Sequence, residues 1–408
     1  MANGNDSPLK RTWIRLLKNK PAIISLVVIG IAIILAIIGP AVAPDKTPDA
    51  DDQVLELSNK NPGFSIKMLL VEKNREEKNT GFLKGLISGK DNPNEMIPIV
   101  SYAFDDSANI ILKTYIGEGR TPQQKIVPII DVCEALSINE PEIHITGDNA
   151  TFTSFDEKKQ TVSIAALKKE IEQNRIITKK YILGTDGYGR DILSRLLFGI
   201  RVSMTVGLIA VLISLTIGIF MGSVAGFFRG TIDDVIMWLI NVIWAIPTIL
   251  LAMAIRFAIG DKIPSLLAIF IAVGLSMWVE TARIVRGQVL AVREMEYVQA
   301  ARGLGFNNIR IIIKHILPNI IGPIMVIAAS DFASAILIEA GLSFVGIGVK
   351  PPTPSWGTML NDHRAYLLTP DKAFLALAPG FCIMIMVLTF NLLGNGLRDA
   401  FDVKGQAV

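Results

Sequence analysis

Asp331 and Glu339 stand eight residues apart in an otherwise apolar run, and Arg256 and Glu280 lie near the ends of two others. A carboxylate at the centre of a bilayer costs about 2.5 kcal/mol or more, so a group kept there is expected to couple an ion, line a pathway or face a partner subunit. Asp331 is mid-run and bears the largest cost. Arg256 and Glu280 can snorkel to an interface along their aliphatic stems. These four residues keep an ion-coupled carrier open as one reading, with Asp331 and Glu339 as the candidate pathway residues.

Other chemistry finds little support. Cys133 and Cys382 lie far apart in segments of different character, which argues against a disulfide framework. His144, His315 and His363 are scattered with no ligand spacing around them, and no metal site is assigned. No Gly-x-x-x-x-Gly-Lys-Ser/Thr occurs, so that motif cannot cradle ATP phosphates here. The polar part of the chain offers no nucleophile, base and orienting group at useful spacing. The net charge of +3, with no run of Lys and Arg alternating with aromatics, gives no argument for nucleic acid. The chain is expected to bind no cofactor and to catalyse nothing by itself.

The elements that carry these residues are membrane spans. Of the 408 residues, 51% are hydrophobic and 19% charged, and the apolar ones are clumped. The first run, Pro21 to Val42, follows Lys10, Arg11, Arg15, Lys18 and Lys20. Ala41-Val42-Ala43 has the small-x-small look of a signal-peptidase site, but the run is longer than a signal core and Pro44 would follow the cut. An uncleaved anchor is the better reading. Five more runs follow at about Ile200–Phe228, Val235–Ile259, Leu266–Ala282, Ile320–Ala340 and Ala373–Leu393, each near the ~20 residues that a bilayer requires. With the N-terminus inside, the inner loops hold Arg229, then Arg283, Arg286, Arg293, Arg302, Arg310 and Lys314, then Arg398 and Lys404; the outer loop Gly260–Ser265 holds one Asp and one Lys. The positive-inside rule agrees with both termini being cytoplasmic.

Between the first two spans lies a long polar interruption, about Asp45 to Lys180, which six crossings place outside. Apolar residues alternate over Asn109–Ile116, and Glu142–Thr146 followed by Gly147-Asp148-Asn149 reads as strand and turn. Ser163–Asn174 has Ile164, Leu167 and Ile171 at helical spacing. A small α+β domain is expected, with a flexible Asp/Pro-rich lead-in over Pro44–Asp52.

One inner segment stands apart, "EYVQAARGLGFNNIRIIIKHILPN", Glu296 to Asn319. Tyr297, Ala300, Ala301 and Leu304 fall on one helical face while Glu296, Gln299 and Arg302 point elsewhere. Gly305 ends that helix and Asn307 or Asn308 caps a second, with Ile309, Ile312, Ile313, Ile316 and Leu317 as its apolar stripe. Pro318 opens the next span. Such a hairpin can float on lipid headgroups; it can also dock in a partner's groove. The small residues Ala300, Ala301, Gly303 and Gly305 favour docking, because they permit close backbone approach.

This segment resembles the EAA loop of ATP-binding-cassette importer permeases, as Gln299-Ala300-Ala301, Gly305 and Ile313 to Pro318, with Gln299 standing where the family has Glu. The stretches "LGTDGYGRDILSRLLFGIR", "ARIVRGQVL", "LSFVGIGVKPPTPSWGTML" and "FNLLGNGLRDAFD" narrow the resemblance to the C-type permease of the dipeptide/oligopeptide family, over about Leu9–Pro48 and Tyr181–Val403. The long insert is outside the usual pattern. The resemblance implies an all-α polytopic membrane protein, a type I importer transmembrane domain of six helices, here with an inserted small α+β extracytoplasmic domain. The expected layout is 1–20 as a cytoplasmic segment, 21–43 as the first span, 44–180 as the insert, 181–398 as the permease domain with a coupling loop at about 283–318, and 399–408 as a cytoplasmic tail. It further implies a homologous B-type permease partner, two cytoplasmic ATPases that use ATP and Mg, an extracytoplasmic solute-binding protein, and a bacterial inner membrane as the setting. Glu296, Tyr297, Gln299, Ala300, Ala301, Arg302, Gly305, Leu317 and Pro318 would carry the coupling, and Glu339 recurs in the family pattern near the external end. Peptides are the implied cargo, with glutathione or nickel as alternatives.

Overall fold

A computed structural model describes residues 8–75, 81, 85, 89–137 and 143–402. The ends of the expected N-terminal segment and tail, 1–7 and 403–408 with Lys404, lie outside the described residues, as does Glu142. The chain forms two compact units, one comprising Met1–Ile37, Gly199–Leu368 and Ala373–Val408, the other Ile38–Phe198 and Thr369–Lys372.

The first unit is helical. Among the described residues, five helices, which lie wholly or mostly in this unit, are long and apolar enough to cross a membrane: Lys20–Val42, Ile192–Phe228, Ser265–Arg293, the run Asn308–Phe344 and Phe374–Phe401. The run expected to span at Val235–Ile259 is not one continuous helix. It is a broken pair, Gly230–Trp244 and Thr248–Ile259, bent by 92°. Pro247 explains the break, since it lacks the amide proton of the next turn and biases Ile246 away from helical backbone. Counting the pair as one gives six.

Close packing inside this unit rests on residues without side chains. Gly218, Gly222 and Gly226 recur every fourth residue along Ile192–Phe228, and a Cβ on any of them would run into helix Ser265–Arg293 at Thr281, Ala282 or Arg286. A small-residue stripe of this kind lets two helices approach backbone to backbone, which is how contact is gained where lipid supplies no hydrophobic drive. Gly207 seats the Phe332 ring in the same way. Phe332 stacks on Phe390 of helix Phe374–Phe401, centroids 4.0 Å apart.

The second unit has a five-stranded antiparallel sheet in the order β4-β3-β2-β1-β8, with β1 Phe64–Glu72, β2 Asn94–Phe104, β3 Asn109–Thr114, β4 Gln123–Pro128 and β8 Ile176–Tyr181. A three-stranded sheet runs β5-β6-β7: His144–Thr146, Asn149–Thr153 and Lys159–Ser163. Ser163 accepts the Ala166 amide proton and so caps helix Ile164–Glu170. Its Leu167, with Ile110, Leu112, Ile129 and Ile171, belongs to one buried apolar cluster. The guanidinium of Arg175 ties the helix end to the sheet through Glu72 at 2.7 Å, Asn94 at 2.9 Å and the Cys133 carbonyl at 2.9 Å.

The lead-in Pro44–Asp52, expected to be flexible, is instead held in place. Asp45 is buried and accepts protons from the Thr47 amide, the Thr47 hydroxyl and the Asp52 amide. Asp51 pairs with Arg190 at 2.9 Å, and Arg190 also meets Asp186 at 2.7 Å. The Lys60 amide donates to the Thr185 hydroxyl at 2.8 Å, while the Thr185 amide returns a proton to the Lys60 carbonyl. Gly189 has φ +74°, and a Cβ there would collide with the Val54 carbonyl. Residues 44–62 and 182–191 thus form a knot of their own. The β-domain joins it through several contacts: the Gly63 amide donates to the Tyr181 carbonyl at 2.9 Å where the sheet begins, the Lys60 ammonium donates to the Tyr115 hydroxyl at 2.6 Å, the Asn92 amide donates to Asp52 at 2.9 Å, and Val54 and Leu57 share a buried cluster with Met68 and Tyr181.

Candidate functional site

Helix Ser265–Arg293 runs well past the expected end at Ala282, and its last turns carry the basic residues that anchor the following loop. Arg283 lies over the Trp244 ring at 3.6 Å and donates to Asn241. Arg286 makes a two-pronged pair with Asp233, both contacts 2.6 Å, the fork geometry that a guanidinium offers a carboxylate. Arg293 donates to the Phe227 carbonyl, and Arg229 pairs with Glu294 at 3.0 Å.

A short helix, Glu296–Gly303, follows. It ends in a Schellman turn: the Phe306 amide donates to the Ala301 carbonyl, the Gly305 amide donates to the Arg302 carbonyl, and Gly305 takes φ +78°. The side chain of Asn307 accepts the Arg310 amide at 2.8 Å and starts the second helix, Asn308–Ile311. That helix widens into a π turn over Ile312–Ile316 and tightens over Leu317–Ile320 before helix Ile321–Phe344. Phe306 lies nearly parallel to the His315 ring, centroids 5.9 Å apart, with the Arg310 guanidinium over the Phe306 ring.

The burial of this hairpin corrects the expected apolar faces. Its underside is Val298, Ala301, Ile311, Ile316 and Ile320, packed against Val285, Val289 and Phe227. Tyr297, Ala300 and Leu304 face outward instead, Leu304 being 75% exposed, and Ile309 and Ile313 are 68% and 56% exposed. Only Ala301 of the first expected stripe and Ile316 of the second are buried. The hairpin therefore offers a second apolar surface that none of the described residues covers. Around it Glu296, Gln299, Arg302 and Pro318 are exposed and Leu317 half-buried; Gln299 donates back to the Glu294 carbonyl at 3.2 Å. Nothing lies within 4 Å of a Cβ built on Gly305. The demand for glycine there is conformational and not spatial.

The two carboxylates sit elsewhere, inside the helical unit. Asp331 is 4% exposed, and its Oδ2 accepts protons from Ser214 and Thr281, both at 3.0 Å. Three helices meet at that oxygen. Glu339 is fully buried and accepts the Ser343 hydroxyl at 2.8 Å. Arg256 is buried too, and snorkels to its helix end, donating to the Gly260 carbonyl at 2.7 Å. Glu280 is exposed. Asp331 and Glu339 therefore lie among packed helices of this chain and not on its surface. The hydroxyl partners Ser214 and Thr281 were not picked out from sequence, because nothing local marks a serine whose acceptor is more than a hundred residues away.

Residues 200–404 match the protein family described as binding-protein-dependent transport system inner membrane component, and residues 7–62 match the N-terminal transmembrane domain of oligopeptide transport permease C. The chain is similar to the dipeptide transport system permease protein DppC of Alkalihalophilus pseudofirmus, 43% identical over 221 residues that make up 54% of this chain and 71% of the relative. It is also similar to the glutathione transport system permease protein GsiD of Pectobacterium atrosepticum, 39% identical over 54% of this chain and 72% of that one. Among solved structures, an inward-facing form of the MetNI methionine ABC transporter aligns with 52% of this chain and 98% of its own, at 16% identity and a TM-score of 0.44.

Proposed function

The chain belongs to the binding-protein-dependent transport system inner membrane components, as a C-type permease of the dipeptide/oligopeptide family, and on that premise we propose that it forms half of an ATP-driven import pathway for short peptides. It is a multi-pass permease subunit and not an enzyme. Hydrolysis of ATP with Mg belongs to two separate ATPase subunits, and a homologous B-type permease supplies the other half of the pathway. Both termini lie in the cytoplasm, where the hairpin 296–318 meets the ATPases. The β-domain lies on the opposite face, where a solute-binding protein delivers cargo. The relatives named for dipeptide and glutathione transport support small peptides as the cargo class.

One observation carries the coupling role. Tyr297, Ala300, Leu304, Ile309 and Ile313 form an apolar surface on a hairpin whose other side is fixed to the helical unit through Val298, Ala301 and Ile311. A knob with a rigid base and an uncovered apolar top suits a groove that moves as nucleotide binds and is released, and transport proceeds as that motion shifts the helices between inward and outward arrangements. Asp331 has its hydrogen bonds from Ser214 and Thr281 within the bundle, so the ion-coupled carrier gains nothing from it. The test is reconstitution of this chain with its three kinds of partner and measurement of peptide uptake driven by ATP with the proton gradient collapsed. Uptake that stops with the gradient while ATP persists would defeat the proposal.

A further inference from the structure

Beyond import, the structure assigns a phospholipid headgroup site to the lysine-lined cavity whose wall starts just past the end of the first membrane helix, formed by Lys46, Lys90, Lys179 and Lys180 and selective for an anionic lipid phosphate. The inference rests on helix Lys20–Val42 being a membrane span and not on which peptide is carried.

The cavity measures about 540 Å³, and its wall begins at Pro44, two residues beyond the last turn of that helix. A span that ends at Val42 leaves the hydrocarbon there, so Pro44, Asp45 and Lys46 stand at headgroup depth. Apolar groups, Leu70 and Met96, also line the cavity. The lysines are brought together by backbone. The Lys90 amide donates to the Lys46 carbonyl at 2.9 Å, and Gly89 makes the turn where a side chain would meet that same carbonyl. Lys179 and Lys180 are neighbours on β8, at the edge of the sheet.

The acidic groups on this wall are engaged elsewhere. Asp45 is filled by its three donors, and Asp52 accepts from Asn92 at 2.9 Å with Lys179 4.0 Å away. Asp91 is the one exposed acid on the rim. Lys46, Lys90 and Lys180 are exposed and have no acidic partner among the described residues. Three ammonium groups without an acidic partner, over an opening whose wall starts two residues past a membrane helix, complement the phosphodiester of a lipid at headgroup depth. Juxtamembrane lysines attract an anionic surface with a worth of about fivefold in affinity each.

Native mass spectrometry of the full-length chain tests this, after exchange into phosphatidylglycerol or phosphatidylcholine. The unaltered chain should retain phosphatidylglycerol in preference. The triple variant Lys46→Gln, Lys90→Gln, Lys180→Gln should lose that preference by about a hundredfold. The triple arginine variant should keep it. A control, Lys113→Gln, Lys159→Gln, Lys169→Gln, removes the same charge from exposed positions that do not line the cavity and should keep it too. Equal loss in the control, or retention in the cavity triple, overturns the site. Inorganic phosphate at millimolar concentration should not displace the lipid; displacement would mark a free-anion site and overturn the lipid assignment. Membrane insertion and peptide uptake of each variant are measured separately, so failure of the permease reading is seen apart from failure of the lipid site.

Discussion

The carboxylate of Asp331 and the hydroxyl of Thr281 meet at 3.0 Å between two membrane helices, and Ser214 from a third reaches the same oxygen. Interhelical hydrogen bonds in membranes average about 0.6 kcal/mol and reach about 1.7. Asp331→Asn keeps an acceptor oxygen at this junction, so the chain should insert and melt within a few degrees of the parent. Asp331→Leu removes both bonds and should lower the melting temperature measurably more. Equal melting of the two variants would show that the junction holds nothing.

Gly305→Val should disable coupling. Its φ of +78° suits glycine, and a left-handed conformation costs other residues about 1–2 kcal/mol, more for a β-branched one. The turn between Leu304 and the second helix would be lost while the spans remain. Insertion should be normal, and ATPase co-purification and uptake should fall together. Normal uptake would exclude docking through this hairpin.

Gln299 offers a milder test. It is exposed and bonded only to its own loop at the Glu294 carbonyl. Gln299→Glu should shift the coupled ATPase rate a few-fold at most. Loss of assembly, seen by size exclusion of the complex, would show that the partner's groove rejects charge there.

Replacing residues 64–181 by two glycines keeps the bonds of Lys60 to Thr185 and of Asp51 to Arg190, while Val54 and Leu57 lose their packing against Met68 and Tyr181. Such a chain should insert and bind ATPases. Stimulation of ATP hydrolysis by the solute-binding protein should disappear if the β-domain docks it; full stimulation would mean that the domain plays no part in delivery.

Cys133 reports on the same domain. Burial pushes its thiol up to about 12, so at pH 8 only about one molecule in ten thousand carries a thiolate, against roughly a quarter for a free cysteine. Maleimide labelling of the folded chain at that position should be negligible at pH 8 and should rise sharply when urea opens the domain. Rapid labelling under native conditions would contradict the packing around Arg175.

The spans were legible because twenty apolar residues need no partner to be recognised. What sits between them was less so. Hydropathy averages across Pro247 and cannot register a break in direction. On Glu296–Gly303 two apolar faces compete, and only the presence of Val285 and Phe227 beneath decides that Val298 goes down while Leu304 stays up. The Asp/Pro-rich lead-in looked loose because its partners are remote: Asp51 waits for Arg190 and Lys60 for Thr185. In the insert, β3 and the capped helix stood out by alternation and spacing, whereas β1 runs apolar from Met68 to Val71 without alternating and β8 carries lysines on both faces at Lys179 and Lys180, so neither gave a clear signal.

The hairpin-like junction of Gly63 with Tyr181 also sets a timetable. Lys60 and Thr185 are 125 residues apart, which a ribosome adding 5–20 residues per second covers in roughly 6–25 s. A two-layer β-domain folds well inside that interval. When β8 pairs with β1 it delivers Thr185 and Arg190 to Lys60 and Asp51 as they emerge. The domain thereby acts, at birth, as the clamp that brings residues 182–191 back to residues 44–62.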